Sequence, residues 1–270
     1  AVYRGVEYLR DRDDGQLLQA ALMHTDAALP PGSNASLHVS RAATCLKRID
    51  DNSLREDLYR KWSLAMAYFF QNDHRFLVSV PFLMDLNKKY PEDMEIRLAF
   101  GSVCEASGLL HEEFRDHLQT AEEQYRWILN ADPDHIEASL RLGHVLKLRG
   151  QHEDSISILE NVLSRTEDPS QVFIARLLLG DIHRAQGRLE TAIGLYESAI
   201  QIDPDCLVAT VAMSHALHQS RRLGESTEVL EQLLVRGDSS RDDTWWRYLM
   251  GHSERFRFLL QDLHQEATKH

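Results

Sequence analysis

Apolar residues recur along most of this chain at intervals of three and four. From Ile136 they fall at Ile136, Leu140, Leu142, Val145, Leu146 and Leu148, a spacing that lays a stripe along one side of an α-helix. Ile156, Leu159, Val162 and Leu163 mark a second such segment. The pair of segments is written again at 173–186 and 189–202, and once more at 207–219 and 223–235. Upstream, 54–71 reads as one helix, lined by Trp62, Leu64, Ala65, Tyr68 and Phe69. Residues 74–89 read as another, which Pro81 is expected to kink. Three further helical patterns occupy residues 1–50. Val2, Val6 and Leu9 mark the first, and Leu17, Leu18, Ala21, Leu22 and Ala28 the second, which runs up to Pro30-Pro31-Gly32. Leu37, Ala42, Cys45, Leu46 and Ile49 mark the third. Residues 11–15 read as a turn. Asp134 with Glu137, and Ser53 with Glu56, have the spacing of capping boxes at helix starts.

Glycine and proline punctuate these helices at a fixed period. Gly101 and Gly108 are seven apart, as are Gly143 and Gly150, and Gly180 and Gly187. Pro91 and Pro133 each precede the first glycine of a pair by ten residues, and Pro169 by eleven. Pro204 calls for a glycine near 214, where Ser214 stands. Gly150 ends its helix. A mid-helix glycine costs about 1 kcal/mol relative to alanine. Gly143 and Gly180 are therefore expected where a partner helix crosses too closely for a side chain.

The best copy of the repeat runs Leu179-Gly180, His183, Gly187, Ala192, Tyr196, Ala199 and Pro204. It resembles the tetratricopeptide repeat, a 34-residue antiparallel helix pair that stacks into a right-handed superhelix; His183 stands where an aromatic residue is usual. Leu142-Gly143, Leu146, Gly150, Ser155, Leu159 and Val162 form the copy before it, and Met213-Ser214, Leu217, Ser226, Leu230 and Leu233 the copy after. The resemblance implies an all-α fold: a right-handed superhelical solenoid of antiparallel helix hairpins. It divides the chain into divergent N-terminal helices (1–53), a degenerate hairpin (54–91), the repeats proper (92–238) and C-terminal capping helices (239–270). On this view the residues form one stack of hairpins sharing an elongated core.

Two features depart from the period. Gly101 to Gly143 is 42 residues. Phe114, Leu118, Ala121, Tyr125 and Ile128 keep helical phase, so the second helix of that repeat is expected to be elongated and to project by roughly 12 Å. After a polar loop at 237–243 come Trp245, Trp246, Leu249 and Met250, then Phe256, Leu259, Leu260 and Leu263. A solenoid needs a terminal element over its last repeat, and this aromatic tail is expected to be that cap. Its rival role is a patch for self-association or for the remainder of a longer chain.

Charge and composition narrow the function. The chain has 270 residues, 43% hydrophobic and 27% charged, with a net charge of −12. That is globular composition, and its acidity argues against nucleic acid as a partner. No apolar run reaches the length of a membrane helix, so no membrane insertion is expected. Cys45, Cys104 and Cys206 are far apart and form no CxxC pair, which points to buried thiols in a reducing, cytoplasmic setting. Asn34-Ala35-Ser36 fits a glycosylation acceptor. Ala1 in first place and the lack of a signal peptide point to a processed product or an excised piece. There is no HExxH, phosphate-binding glycine loop or GxSxG. Fourteen histidines invite a metal, but His111 and His117 do not share a helix face, and His215 and His218 form an isolated pair. No catalytic activity, cofactor or metal is expected.

What remains is binding of another protein. In the family the first helix of each repeat lines the concave groove. The resemblance places there Leu140, Arg141, His144 and Lys147, then Leu177, Leu178, Asp181 and Arg184, then Val211, Ala212, His215 and His218; Ser102 and Glu105 hold the matching places upstream. His144, Asp181 and His215 are equivalent in three consecutive repeats and are expected to form a ladder. If His144 and His215 contribute, binding changes between about pH 5 and 7. Of the lysine and asparagines that clamp a chaperone's C-terminal carboxylate in some family members, none is present here beyond Arg141, Lys147 and Arg184. An apolar groove with a mixed polar rim suits a peptide or amphipathic helix. The expected function is a non-catalytic protein–protein interaction scaffold. The alternative is a regulatory or interaction module of a larger multidomain enzyme or receptor.

Overall fold

The computed structural model describes residues 13–28, 35–49, 52–72, 76–236, 244–250 and 252–267. Among them all regular structure is helical, with no strand. The helices are α1 (Asp14–Ala28), α2 (Ala35–Leu46), α3 (Asn52–Asn72), α4 (Phe76–Lys89), α5 (Met94–Leu110), α6 (His117–Ala131) and α7 (Ile136–Leu148). They continue as α8 (His152–Arg165), α9 (Pro169–Ala185), α10 (Leu189–Ile200), α11 (Leu207–Gln219), α12 (Leu223–Arg236), α13 (Thr244–Met250) and α14 (His252–Ala267). The pattern at Val2, Val6 and Leu9, the Pro30-Pro31-Gly32 stop, the Asn34 acceptor and the 237–243 loop lie outside the described residues. α1 starts at Asp14, inside the segment expected to be a turn.

The chain divides into two compact units, one of Ala1–Pro91 with His252–His270 and the other of Glu92–Gly251. In the first unit α1 pairs with α2, α3 with α4, and α14 packs on α3 and α1. Leu18, Leu46, Ile49, Leu58, Trp62 and Leu263 are among its buried side chains. Trp62 Nε1 donates to Thr25 Oγ1 at 2.9 Å, which satisfies a buried indole N–H. Lys61 bridges Asp57 (3.0 Å) on its own helix and Asp262 (2.8 Å) on α14.

The second unit stacks four antiparallel hairpins: α5 with α6, α7 with α8, α9 with α10, and α11 with α12. Consecutive first helices also touch, so α5, α7, α9 and α11 form one continuous face. The mid-helix glycines set the approach within each hairpin. A Cβ on Gly180 would stand 2.6 Å from Tyr196, one on Gly143 2.7 Å from Leu159, and one on Gly101 2.5 Å from Tyr125. The close crossing expected at Gly143 and Gly180 is therefore present, and the tyrosine or leucine of the second helix fills the space.

Each first helix of the next two hairpins ends in a left-handed glycine. Gly150 and Gly187 have φ of +77° and +76°. The following N–H groups, of Gln151 and Arg188, return to Leu146 O and His183 O at 2.9 Å. That closes a Schellman turn. In the last hairpin Arg222 N–H returns to Leu217 O at 2.9 Å, and the left-handed place is held by Arg221 at φ 63°. The turn geometry thus persists where the glycine does not.

Other expectations need correcting. The repeat containing the 42-residue interval has no elongated second helix. α5 ends at Leu110, a 3-10 turn covers Glu112–Phe114, and α6 begins only at His117. The extra residues extend the first helix and the connection, and Phe114 stacks on His117 with centroids 5.2 Å apart. The Asp134–Glu137 box is not the cap of α7. His135 is the N-cap, its Nδ1 accepting from Ala138 N–H at 3.1 Å, and Glu137 instead accepts from Arg141 Nε at 3.1 Å. The Ser53 side chain lies outside the described residues. Glu56 is taken up by Tyr90 O–H (2.5 Å) and Lys89 (2.7 Å) rather than by a helix start. The aromatic tail does not act as one cap either. Its second helix, α14, belongs to the first unit, and its first, α13, lies against α5 and α9.

Candidate partner-binding groove

The first-helix face is where the expected groove residues meet, and α13 divides them into two sets. Leu140, Arg141, His144, Leu177 and Leu178 are all buried. In this arrangement they are covered, so the expected open groove does not extend to those five. Lys147, Asp181, Arg184 and Ala212 are half-buried, and Val211, His215 and His218 are exposed. The covered set lies along α7 and the core side of α9, and the open set runs from the end of α7 across α9 to α11.

Glu105 is the centre of the covered part. It sits on α5 with 1% of its surface exposed, so its carboxylate must find every partner within the protein. Oε2 accepts from Tyr125 O–H at 2.6 Å and from Arg141 Nη1 at 3.2 Å. Oε1 accepts from His144 Nδ1 at 2.7 Å and from Tyr248 O–H at 2.8 Å. A carboxylate offers about four acceptor positions, and here four donors fill them. Burial works against the charge, but Arg141 and the bonds from His144 and Tyr125 outweigh it and hold the Glu105 pKa at about 2. Because Glu105 is ionised, His144 Nδ1 must carry the proton in that bond. Burial pushes the His144 pKa below its usual value, with Glu105 opposing and Lys147 and Arg141 adding to it, so the ring is a neutral donor. Burial also works against the Arg141 charge, yet Glu105 carries its pKa well above the usual value.

Tyr248 and Trp245 bring α13 onto this centre. Arg141 Nη2 donates to the Tyr248 carbonyl at 3.1 Å, and its guanidinium lies 4.7 Å from the centroid of the Tyr248 ring. Trp245 meets the His144 ring edge to face at 5.6 Å and stacks on Tyr248 at 5.7 Å. Leu249 joins the apolar core of the repeats. At the other end of α13, Thr244 N–H donates to Asp203 Oδ2 at 3.0 Å.

The open part has a different character. Lys147 pairs with Asp181, and Asp181 Oδ1 accepts from Tyr196 O–H at 2.8 Å. Arg184 Nη1 approaches His215 Nδ1 at 3.3 Å. The three-residue ladder is therefore corrected. His144 is buried on Glu105, Asp181 is tied to Lys147 and Tyr196, and only His215 faces outward. A histidine locked as His144 is cannot make the groove's affinity depend on pH in the way expected of an exposed one. Among the described residues no group of three or more His, Cys, Asp or Glu is placed to hold a metal ion, and no helix is long and apolar enough to cross a membrane. Tyr125, Trp245 and Tyr248 were not among the expected groove residues. Their signal was present, in the aromatic pair at 245 and 248 and in the charges at 105 and 141 on inward-facing helices.

Stacked antiparallel hairpins, with small residues at the crossings and left-handed turns between the helices, define an all-α helical-repeat protein. Two family models, each described as tetratricopeptide repeat, match residues 134–205 and 183–243. Residues 134–243 of the chain therefore carry tetratricopeptide repeats. Its backbone is similar to that of PilF from Pseudomonas aeruginosa, with a TM-score of 0.55 and 13% identity, over 78% of this chain and 90% of that one. It is also similar to MamA (residues 41 to the end) from Desulfovibrio magneticus RS-1, with a TM-score of 0.52 and 19% identity, over 65% of this chain and 93% of that one. At these identities the likeness shows the fold alone. No curated protein matches the chain.

Proposed function

We propose that this chain is a non-catalytic protein–protein interaction scaffold, taking a peptide or amphipathic helix of a partner on the part of the first-helix face that α13 leaves open. The observation that supports this reading is the row along α11. Leu207 and Val211 are 44% and 47% exposed and one turn apart, and His215 continues the row. Ala212 lies beside it, and His218, Arg184 and Asp181 form a polar rim. An apolar centre inside a polar rim is the anatomy of a helix-binding surface.

The test is capture of partners from the source cell by three chains. One is wild type, one carries Leu207→Glu with Val211→Glu, and one carries Leu230→Glu on the second helix of the same hairpin. The α11 pair is expected to abolish capture of proteins that the wild type and the Leu230→Glu chain retain. Retention of the same proteins by all three chains would remove the α11 face as the site.

A further inference from the structure

α13 has seven residues, and a helix that short is not stable in water by itself. It is held entirely by what its groups meet. Its backbone is gripped at both ends. Asp203 accepts the Thr244 N–H at 3.0 Å, and Arg141 donates to the Tyr248 carbonyl at 3.1 Å. That carbonyl is one of the last four of the helix, which have no partner within it. Its side chains anchor it between the grips. Trp245 and Tyr248, three apart and so on one side of the helix, enclose the His144 ring. The Tyr248 hydroxyl reaches Glu105 at 2.8 Å.

The receiving side is complete without α13. Glu105, Tyr125, Arg141 and His144 come from α5, α6 and α7 and bond one another directly. Glu105 keeps three of its four donors if α13 leaves, and its charge stays paired with Arg141. None of the contacts made by α13 depends on its covalent link to the repeats. Aromatic anchors in a buried pocket with a charged clamp on the backbone are the pattern by which grooves recognise helices.

We propose that the face over α5, α7 and α9 is a receptor for a short helix of the form Trp-x-x-Tyr-Leu, with α13 as its resident occupant and a partner helix of the same chemistry as its exchangeable one. The tether gives α13 an effective concentration on the order of millimolar, so an incoming helix displaces it only by binding more tightly or by making a second contact elsewhere. This receptor is separate from the α11 row and stands whether or not that row binds a partner.

The probe is a fluorescent peptide with the sequence of residues 242–252, followed by anisotropy against the full chain. A chain carrying Trp245→Ala and Tyr248→Ala vacates the receptor. It is expected to bind the peptide one to one and at least about tenfold more tightly than wild type, which must first release its own helix. A peptide with the same two replacements is expected to bind neither chain. The Leu207→Glu, Val211→Glu changes, added to the vacated chain, are expected to leave its peptide affinity unchanged. Equal binding to the wild-type and vacated chains, or no binding to a vacated chain that keeps its helix content, overturns the proposal. If the double replacement lowers helix content, Tyr248→Phe takes its place, because it removes only the hydroxyl on Glu105. A gain in peptide affinity over wild type supports the receptor, and no gain overturns it.

Discussion

Replacing Arg141 by methionine keeps an unbranched apolar stem of similar length and removes the charge. The guanidinium loses Glu105, Glu137, the Tyr248 carbonyl and the Tyr248 ring together. Glu105 is left as a buried carboxylate with three neutral donors. Breaking a buried ion pair from one side costs about 3–5 kcal/mol, against about 0–1 kcal/mol for an exposed pair. Three remaining donors put the expectation near the low end, about 3 kcal/mol at pH 7. Urea unfolding followed by circular dichroism measures it. A second signature separates loss of charge from loss of packing. In the wild type Glu105 is held at about 2 from an ordinary 4.5. A depressed folded pKa contributes stability that is present above the unfolded value and is lost as pH falls through the folded one, here between about 4.5 and 2. In Arg141→Met the main charge opposing burial is gone, the Glu105 pKa rises, and that acid-labile contribution shrinks. The gap between the two chains therefore narrows as pH falls from about 5 to 2. A cost below about 1 kcal/mol at pH 7, or a gap that stays constant across that range, would refute the account of Glu105 as a buried, ionised centre.

Four other substitutions follow from local geometry, each read by the midpoint of chemical unfolding. Arg221 holds a left-handed backbone where Gly150 and Gly187 stand in the preceding repeats, so Arg221→Gly is expected to stabilise by about 1 kcal/mol; a loss would mean that the arginine side chain supplies more than the strain it imposes. Gly180→Ala places a Cβ 2.6 Å from the Tyr196 ring and is expected to cost about 1–3 kcal/mol through overpacking. Gly194→Ala, which meets nothing within 4 Å on the exposed side of α10, is expected to gain about 0.5–1 kcal/mol from helix propensity, and the reverse order of the two would refute the crossing geometry. Thr25→Val leaves the buried Trp62 N–H without its acceptor and is expected to cost about 1–3 kcal/mol, whereas a neutral result would mean that the indole N–H finds another partner.

The repeats were legible because both of their signals are local. Period 3–4 apolar spacing fixes the helices, and the small residues at 101, 143, 180 and 214 fix the crossings within about twenty residues of chain, as Tyr125 against Gly101 and Tyr196 against Gly180 show. The left-handed Arg221 was less legible, since the turn there is set by the return bond from Arg222 N–H to Leu217 O and not by a residue type. The interval between Gly108 and His117 misleads because helical phase survives a break: Phe114 and Leu118 are four apart whether or not the backbone between them is one helix, and only the 3-10 turn at Glu112–Phe114 decides.

The occupied groove was the hardest part to read, because the bonds from α13 to Glu105, Arg141 and His144 span 104 to 143 residues. Yet the first-helix positions carried a warning. Glu105, Arg141 and His144 were assigned to the inward face of adjoining repeats, which for an open groove means solvated and for a closed one means buried. A buried carboxylate must fill its acceptor positions from nearby donors. Arg141, His144 and Tyr125 supply one donor each to Glu105, which leaves one position over. None of these neighbouring residues offers a donor for that last position. The chain provides it in an aromatic tail whose tyrosine hydroxyl is the fourth. An acid, a base and a histidine aligned across consecutive repeats, beside an aromatic segment with no repeat of its own, thus together indicate a groove that the chain fills itself.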